Sequence, residues 1–482
     1  MVRRHALALT AVLAGCTDEL IVRPVIELPV GDDTADPFAA AAQLDEITLT
    51  VARAGSDRDL VSQTFARGES IALADAPFGE ALVIHMTGFS QGGATSYGRT
   101  CAFDVDASAD VDVVAPHLLF SRTVRFASLG VQPLARTGGH AVTFGGGAVI
   151  LGGEAGAAPV RDVERFDPAT GQLVFAGRLS ERQGAVQALL GTAPPRIAVL
   201  GGRVGSSGAS LVELIDPAQS VEVIDDVRMA RLGITATSLT DGRVISIGGH
   251  APGVGPVGTI TEVSVNGPTV EIRDLQARLS FPRTGHTTTR LGDDVGAPVL
   301  VAGGSSGVDG LGPPVPTAEL FKPLTAELVR PESFAPQLLV PRAHHHAALM
   351  PDGSVLFIGG IDAAGNPVRT LELFSLETGF VAVGELPAAA AVIDCTVTVL
   401  PDGRLLLTGG RTTLDGPPTD FAAIARLDQL DGSIDIVTTD RLAVPRAGHQ
   451  AALLCDGTVL ISGGTDAPSA AERYNPPATG RR

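Results

Sequence analysis

The sequence is poor in aromatic, cysteine and basic residues. Its 482 residues include no Trp, two Tyr and four Cys, and the formal net charge is −18. Nucleic-acid binding rewards clustered cations and aromatic stacking surfaces, so this composition argues against a nucleic-acid partner. Hydrophobic residues make up 44% of the chain, which is too apolar for a disordered protein.

The first sixteen residues are typical of an export signal. Arg3 and Arg4 precede an apolar run from Ala6 to Leu13, and Leu13-Ala14-Gly15-Cys16 follows. A run of this length is too short to cross a bilayer, which takes about 20 residues. The segment resembles the signal peptide of bacterial lipoproteins. That resemblance implies that Cys16 is acylated and holds the protein on the cell envelope, and Thr17 in the next position implies the outer membrane. An ordinary exported protein with an unmodified cysteine is the alternative.

Seven Gly-Gly pairs end β-branched runs in the last three quarters of the chain. The pairs begin at Gly152, Gly201, Gly248, Gly303, Gly359, Gly409 and Gly463, with a mean spacing of about 52 residues. Asp-Gly dipeptides such as Asp352-Gly353 and Asp402-Gly403 precede several of them, which predicts a two-residue hairpin turn between two strands. A third strand with an acidic-aromatic pattern and a fourth strand follow in each unit. Four short strands per unit predict a β-propeller blade.

These features resemble the kelch repeat from Arg136 to Asn475, although the Trp usual in that family is missing. The chain ends after the third strand of the seventh unit. We expect the segment from Val124 to Leu129 to supply the missing fourth strand, because an unpaired edge would invite aggregation. The prediction is therefore an all-β protein, a seven-bladed kelch-type β-propeller preceded by a small β-sandwich domain.

The predicted domain organisation has five parts. They are a signal peptide (1–15), the lipidated cysteine with a flexible tether (16–43), a small immunoglobulin-like or prealbumin-like β-sandwich (44–120), the propeller (121–476) and a tail (477–482). The sandwich is inferred from alternating runs at 47–51, 70–73, 81–86 and 100–105.

An Arg starts the first strand and a Glu lies in the third strand of six units, whereas the sixth unit lacks both. Joint loss predicts charge-assisted pairing within a blade. The predicted pairs, in unit order, are Arg136 with Glu164, Arg182 with Glu213, Arg231 with Glu262, Arg283 with Glu319, Arg342 with Glu372 and Arg446 with Glu472.

Histidines are the most conspicuous other polar groups. His345 aligns with His449, His286 and His140, so these four are interpreted as structural parts of the repeat. His344 takes the place of the Gly seen as Gly285 and Gly448. His344 and His346 lie on one face of a strand and are weak candidates for a metal site, which would need His250 or an acidic loop residue as a third ligand.

The remaining cysteines, Cys101, Cys395 and Cys455, are expected to be buried free thiols, because Cys395 and Cys455 are about six positions out of register and Cys101 is remote in sequence. Scattered acidic residues such as Asp309, Asp362 and Asp415 are interpreted as turn formers.

The functional expectation is a non-catalytic binding or scaffold module. A monomeric propeller on a lipid anchor would present its loops to a protein or glycan, and no cofactor is expected. The resemblance includes copper oxidases of the galactose oxidase class, which use two tyrosines and two histidines, but Tyr97 lies outside the propeller and Tyr474 takes a packing position. The alternative is an extracytoplasmic enzyme, a hydrolase, lyase or sugar isomerase, with a site on a propeller rim or channel.

Overall fold

The computed structural model describes most of the chain. The described residues are 21–22, 24–29, 34–39, 44–56, 58–69, 79–105, 113–216, 220–308, 312–329, 336–390, 392–428 and 432–477. Cys16, Asp309 and the predicted strand at 70–73 lie outside them. No helix in this part of the chain has both the length and the apolar character needed to cross a membrane.

Seven four-stranded antiparallel sheets form the blades of a propeller. Blades 1 to 3 are His140–Phe144, Gly147–Leu151, Asp162–Asp167 and Gln172–Arg178; Val186–Leu190, Arg196–Leu200, Leu211–Ile215 and Val221–Asp225; and Thr235–Ser238, Val244–Ile247, Thr259–Asn266 and Thr269–Arg278. Blades 4 to 6 are Thr287–Arg290, Val299–Ala302, Ala318–Lys322 and Glu327–Val329; His346–Leu349, Val355–Ile358, Thr370–Ser375 and Gly379–Glu385; and Thr396–Val399, Leu405–Thr408, Ala422–Leu427 and Ile434–Thr438.

Blade 7 joins the two ends of the propeller. Its first three strands are Gln450–Leu453, Val459–Ser462 and Ala471–Asn475, and its fourth is Arg125–Ser128. Arg125 lies opposite Asn475 and Ser128 opposite Glu472 in an antiparallel register. The predicted closing strand is confirmed, and it leaves blade 7 with the same four strands as the others.

The hydrophobic cores lie between blades. Each of seven clusters combines side chains from two neighbouring sheets, as Ile245 and Ile247 of blade 3 pack with Val299 and Val301 of blade 4. The other six clusters join the remaining neighbours around the ring. Each sheet is therefore buried on both faces, which explains why the second strands are continuous apolar runs.

Both residues of every Gly-Gly pair have positive φ, from +54° to +97°. At the second Gly a side chain would also meet backbone atoms: a Cβ on Gly360 would lie 2.6 Å from the Ala343 carbonyl oxygen. Only glycine combines this conformation with such close approach, so the pairs mark the points where the chain leaves the second strand.

The Asp-Gly turns differ from the expectation. In blade 5 the Met350 N–H donates to the Ser354 carbonyl, so three residues lie in the turn between them. Of the Asp352-Gly353 dipeptide, only Gly353 has positive φ (+84°). The Asp352 carboxylate accepts a hydrogen bond from the Ser354 N–H at 3.0 Å. The predicted two-residue turn is wrong, because the aspartate acts through its side chain while glycine alone takes the left-handed conformation.

The N-terminal domain is built on one antiparallel sheet. Its strands are Ser121–Arg122, Gly93–Arg99, Gly79–Ser90, Glu46–Arg53 and Asp59–Ala66 in spatial order, and Phe103–Val105 also pairs with Gly79–Ser90. Two short parallel ribbons pack with it: Ile21–Val22 beside Val113–Val114, and Val25–Glu27 beside His117–Leu119. Val22 and Ile26 lie in the domain core. This part of the expected flexible tether is folded, because its apolar residues complete that core.

A disulfide joins this domain to the propeller. Cys101 lies between the strands Gly93–Arg99 and Phe103–Val105 of the N-terminal sheet, and Cys455 lies in the first turn of blade 7, with their Cα atoms 5.1 Å apart. The expectation of free thiols at these two positions is wrong. Spacing along the chain cannot show a contact made by docking one domain on another. Cys395 is free and buried, as predicted.

Candidate functional site

The first strands of neighbouring blades lie side by side and form the innermost ring of the propeller. Since adjacent strands are antiparallel, each first strand begins at the end of the propeller where the second strand reaches its Gly-Gly pair. Small hairpins extend from that end, such as Arg203–Val204 with Ser207–Gly208 and His250–Ala251 with Gly255–Pro256. We call this end the mouth face.

Seven left-handed residues, one per blade, lie on the mouth face around the innermost ring of strands. They stand just before the first strands and are Gly138, Gly184, Gly233, Gly285, His344, Asp394 and Gly448, with φ between +52° and +64°. Backbone hydrogen bonds link them from blade to blade, including His344 N–H to Gly285 O at 2.9 Å and Gly448 N–H to Asp394 O at 2.8 Å. We call this ring the channel mouth.

Two of the seven positions carry side chains. The predicted replacement of glycine by His344 is confirmed at φ +55°, and Asp394 on the next blade has φ +52°. A left-handed conformation costs an L-residue with a side chain about 1–2 kcal/mol relative to the right-handed one. Because five blades avoid that cost with glycine, the two substitutions on adjacent blades mark a candidate functional site.

Arg411 holds the Asp394 side chain. Its Nε lies 3.6 Å from Asp394 Oδ2, while Nη1 donates to the Gly416 carbonyl and Nη2 to Thr465 Oγ1 at 3.3 Å. The Arg411 side chain is 21% exposed and that of Asp394 is 56% exposed. The guanidinium is thus held in place by two loops, and the carboxylate reaches solvent at the channel mouth. Sequence reasoning missed Asp394 and Arg411; the signal was the departure from glycine at the position of Gly448.

The three consecutive histidines have three different environments. His344 is exposed at the mouth, whereas His345 is buried against blade 4, where its Nε2 lies 2.9 Å from Thr287 Oγ1. His346 faces blade 6 and hydrogen-bonds to the backbone of Cys395, and burial lowers its pKa. His250 belongs to blade 3, with blade 4 between it and these residues. The structure therefore does not bring His250 together with His344 and His346.

Three buried histidines each contact a threonine of the preceding blade. His286 contacts Thr235 of the preceding blade at 3.1 Å, in the same way as His345 contacts Thr287, and His449 contacts Thr396 at 3.0 Å. Burial first, and then a neighbouring arginine, lower the pKa of His286 and of His449 to about 3. These side chains are neutral structural groups.

His140 does not belong to that set, so its alignment with His345 is wrong by one residue. It lies opposite Leu151, just before a Gly-Gly pair, as His346 lies opposite Ile358. A shift of one residue turns a strand side chain to the other face. His140 accordingly faces the following blade, where its Nε2 donates to the Ala185 carbonyl at 3.0 Å.

The structure brings together five of the six predicted Arg–Glu pairs. Their nitrogen–oxygen distances are 2.6 Å for Arg136–Glu164, 2.5 Å for Arg182–Glu213, 2.9 Å for Arg283–Glu319 and 2.5 Å for Arg342–Glu372, and Arg446 also pairs with Glu472. The carboxylates accept further bonds from the loop before the first strand, as Glu372 does from the Leu339 N–H at 2.7 Å. Each pair therefore fastens that loop to its own blade.

Blade 3 departs from the predicted pairing. The residue opposite Ser246, in the position that Glu occupies elsewhere, is Thr261, and Glu262 lies one residue farther along. Arg231 donates to Thr261 Oγ1 at 2.9 Å, whereas Glu262 pairs with Arg243 and Arg273 at 2.5 and 2.8 Å. The predicted Arg231–Glu262 pair is wrong because a shift of one residue along a strand turns the side chain to the other face of the sheet.

The described residues contain no group of three or more His, Cys, Asp or Glu side chains that could hold a metal ion. Tyr97 lies in the N-terminal sheet, with its hydroxyl 2.6 Å from His85 Nδ1. Tyr474 is fully buried in blade 7 against Phe126. The two tyrosines therefore belong to different structural contexts, as their sequence positions indicated.

The strand pattern defines a seven-bladed β-propeller preceded by a domain with one six-stranded antiparallel sheet and two short parallel ribbons, rather than the two full sheets expected of a sandwich. No protein-family model and no curated protein matches the chain. Among solved structures it is similar to a fungal alcohol oxidase of the AA5 family in complex with copper, with a TM-score of 0.53 and 15% identity over 73% of this chain and 76% of that chain.

This similarity corrects the expectation of a non-catalytic protein, because the matched structure is an enzyme. At 15% identity the likeness shows the fold alone. The residues present do not fit a copper site of the tyrosine and histidine kind, since Tyr97 pairs with His85 in the N-terminal sheet and Tyr474 packs between blades. No step of a reaction is therefore assigned to copper.

Proposed function

We propose that the protein is an extracytoplasmic enzyme, of the hydrolase, lyase or sugar-isomerase kind, that acts by proton transfer at the channel mouth. The observation that carries the proposal is the presence of His344 and Asp394 at two left-handed positions that are glycine in the other five blades. Both side chains are exposed to solvent there, so a substrate can reach them.

The two side chains have complementary chemistry. The imidazole of His344 can accept or return a proton, and the Asp394 carboxylate can act as a second proton-transfer group. Arg411 is a positioning residue, because its contacts to Gly416 and Thr465 fix the guanidinium that pairs with Asp394. Rigid placement of this kind raises the rate at which correctly oriented groups react.

The proposed location is the bacterial envelope, with a lipid on Cys16. The support is the resemblance of Leu13-Ala14-Gly15-Cys16 to a lipoprotein signal and the disulfide between Cys101 and Cys455, which suits an oxidising compartment. The Gly-Gly pairs and their positive φ angles support a kelch-type repeat.

Binding of a protein or glycan on the mouth face is a second candidate function. Hairpins there expose aliphatic side chains: Val204 is 47% exposed, Val254 77% and Leu414 43%. Exposed apolar groups on one face favour contact with another molecule.

The test uses the full-length protein, purified in detergent, and a panel of neutral and uronate-containing oligosaccharides. Release of reducing ends would show hydrolysis, an ultraviolet-absorbing unsaturated product would show elimination, and NMR would show isomerisation. We expect one reaction, lowered at least about 100-fold by His344→Gly and Asp394→Gly. Because glycine suits these backbone angles, both variants should change the free energy of unfolding by less than about 1 kcal/mol.

The control is Ala326→Gly, which removes the side chain from another left-handed residue (φ +54°). Ala326 lies in the turn between the third and fourth strands of blade 4, away from the mouth face. It should retain full activity. Turnover that survives both mouth substitutions, or no turnover on any member of the panel, would contradict the proposal.

A further inference from the structure

One position of the third strand carries a charge in three blades and an apolar side chain in the other four. It directly follows the place of the Glu that pairs with a buried Arg. Its residues in blades 1 to 7 are Arg165, Leu214, Glu262, Leu320, Leu373, Ile424 and Arg473. Because each sheet is packed on both faces, a charged group here needs a partner of opposite charge. Glu262 has two such partners, Arg243 and Arg273.

Blade 7 shows how an arginine in this position is satisfied. Arg473 is 2% exposed and pairs with the carboxylate of Asp456, which lies in the turn between the first and second strands of the same blade. Its Nε donates to Thr458 Oγ1 at 3.2 Å, and Oε2 of Glu27 in the N-terminal domain lies 3.6 Å from its Nη1. The Arg473 guanidinium is therefore surrounded by two carboxylates and a hydroxyl group.

Blade 1 has the arginine without these partners. Within the described part of the chain, the Arg165 guanidinium forms no hydrogen bond and no ion pair, and its Nε is shielded from solvent. The turn between the first and second strands contains only Gly145 and Gly146, whereas the same turn of blade 7 contains three residues, Asp456 among them. A Cβ on Gly145 would lie 3.6 Å from Arg165 Nη2. A glycine thus stands beside the guanidinium where blade 7 has a carboxylate.

A cavity of about 90 Å³ lies beside Arg165, between blades 1 and 2 and at the end of the propeller opposite the mouth face. A protein cavity of about 150 Å³ holds benzene, so this one admits about three or four non-hydrogen atoms. The Asp216 carboxylate also borders the cavity, and it accepts hydrogen bonds from the Ser220 hydroxyl and, at 2.8 Å, from the Ser220 N–H. The other walls are mainly apolar side chains: Phe144, Val149, Ala176 and Ile215.

We propose that this cavity binds a small aliphatic monocarboxylate of the size of acetate or propionate. The ligand carboxylate takes at Arg165 the place that the Asp456 carboxylate takes at Arg473, since a guanidinium and a carboxylate form paired, charge-assisted hydrogen bonds. The short alkyl group then packs on Val149 and Ile215, away from water. Because Asp216 would repel a second negative charge, the site favours a monocarboxylate over a dicarboxylate. This site is separate from the one at the channel mouth and does not depend on the reaction proposed there.

The test is a titration of ¹³C-labelled propionate with the full-length protein in detergent, followed by NMR line broadening of the ligand. We expect saturable binding with a Kd on the order of 1 mM. Propionamide, which has the same shape and no charge, should bind at least about tenfold more weakly. Arg165→Leu introduces the residue found at this position in blades 2, 4 and 5, and it should weaken propionate binding at least about tenfold.

A second variant keeps Arg165 and supplies the missing partner from the chain. Gly145 has φ +55°, close to the +52° of Asp394, so Gly145→Asp can place a carboxylate in the turn, as in blade 7. It should also weaken propionate binding at least about tenfold. The control is Arg426→Leu, which removes an arginine that is 60% exposed and should leave the Kd unchanged. Urea denaturation checks that each variant is folded. No saturable binding to the parent protein, an unchanged Kd in Arg165→Leu or Gly145→Asp, or equal binding of propionamide would each overturn the proposal.

Discussion

The buried Arg342–Glu372 pair allows a quantitative test of how the blades are stabilised. Both side chains are fully buried, and their charged atoms lie 2.5 Å apart. Removing one partner leaves the other charge buried without compensation, which costs about 3–5 kcal/mol. We therefore expect Glu372→Ala and Arg342→Val each to lower the free energy of unfolding by that amount in equilibrium urea denaturation.

Blade 6 supplies the reference for the double variant. Val392 stands in the Arg position, and Ala423, opposite Leu407, stands in the Glu position. Changing Arg342 to Val and Glu372 to Ala together recreates this natural apolar combination, and replacing both members of a buried pair is often near neutral. The double variant should be no less stable than either single one, which gives a coupling energy of about 3 kcal/mol or more.

An exposed pair serves as the control. Arg426 and Asp435 lie 3.3 Å apart with side chains 60% and 53% exposed, so their coupling should be at most about 0.5 kcal/mol. If the losses from Glu372→Ala and Arg342→Val simply add in the double variant, the pair is not the unit that stabilises the blade.

Two further predictions concern the buried histidines and the disulfide. The pKa of His286 is lowered to about 3, so the unfolded chain binds a proton near pH 6.5 that the folded protein excludes, and stability falls as the pH drops from 6.5 toward 3. Between pH 7 and pH 5 this histidine accounts for about 2 kcal/mol of the loss in the free energy of unfolding. The variant His286→Ile copies Ile234 of blade 3, and over the same pH range its free energy of unfolding, measured by urea denaturation, should fall by about 2 kcal/mol less than that of the parent protein. An unchanged pH dependence would contradict the assignment. Replacing Cys101 and Cys455 by Ser should lower the free energy of unfolding by about 2–4 kcal/mol, as should reduction of the parent protein, and equal urea midpoints for all three forms would refute a stabilising role.

The repeat geometry could be predicted from the sequence because it depends on local chemistry. A Gly-Gly pair is required wherever two consecutive left-handed residues lie close to a neighbouring backbone. The pairs therefore marked the end of the second strand in each blade. The closing strand followed from counting strands and from the cost of an open edge. Both depend on rules that each unit repeats.

The errors have two physical causes. Glu262 and His140 were each placed one residue from their true register, and strand alternation converts that small error into the opposite face of a sheet. The Cys101–Cys455 bond and the strands at 21–27 depend on how one domain docks and folds against another, which no local pattern encodes. Asp394 could have been found, because it occupies the same position as His344 in the next unit.

The histidines between blades limit how the ring can be assembled. At five of the seven interfaces one histidine is present: His286, His345 and His449 reach back to a threonine, whereas His140 and His346 reach forward to a backbone group. Among the described residues, no interface has a histidine on both sides. Exchanging two blades, for example the fourth and the sixth, would set His346 against His286 at one junction and leave other junctions with no imidazole. The order of the repeats is thus encoded at their edges, and the seven copies are not interchangeable modules despite their shared frame.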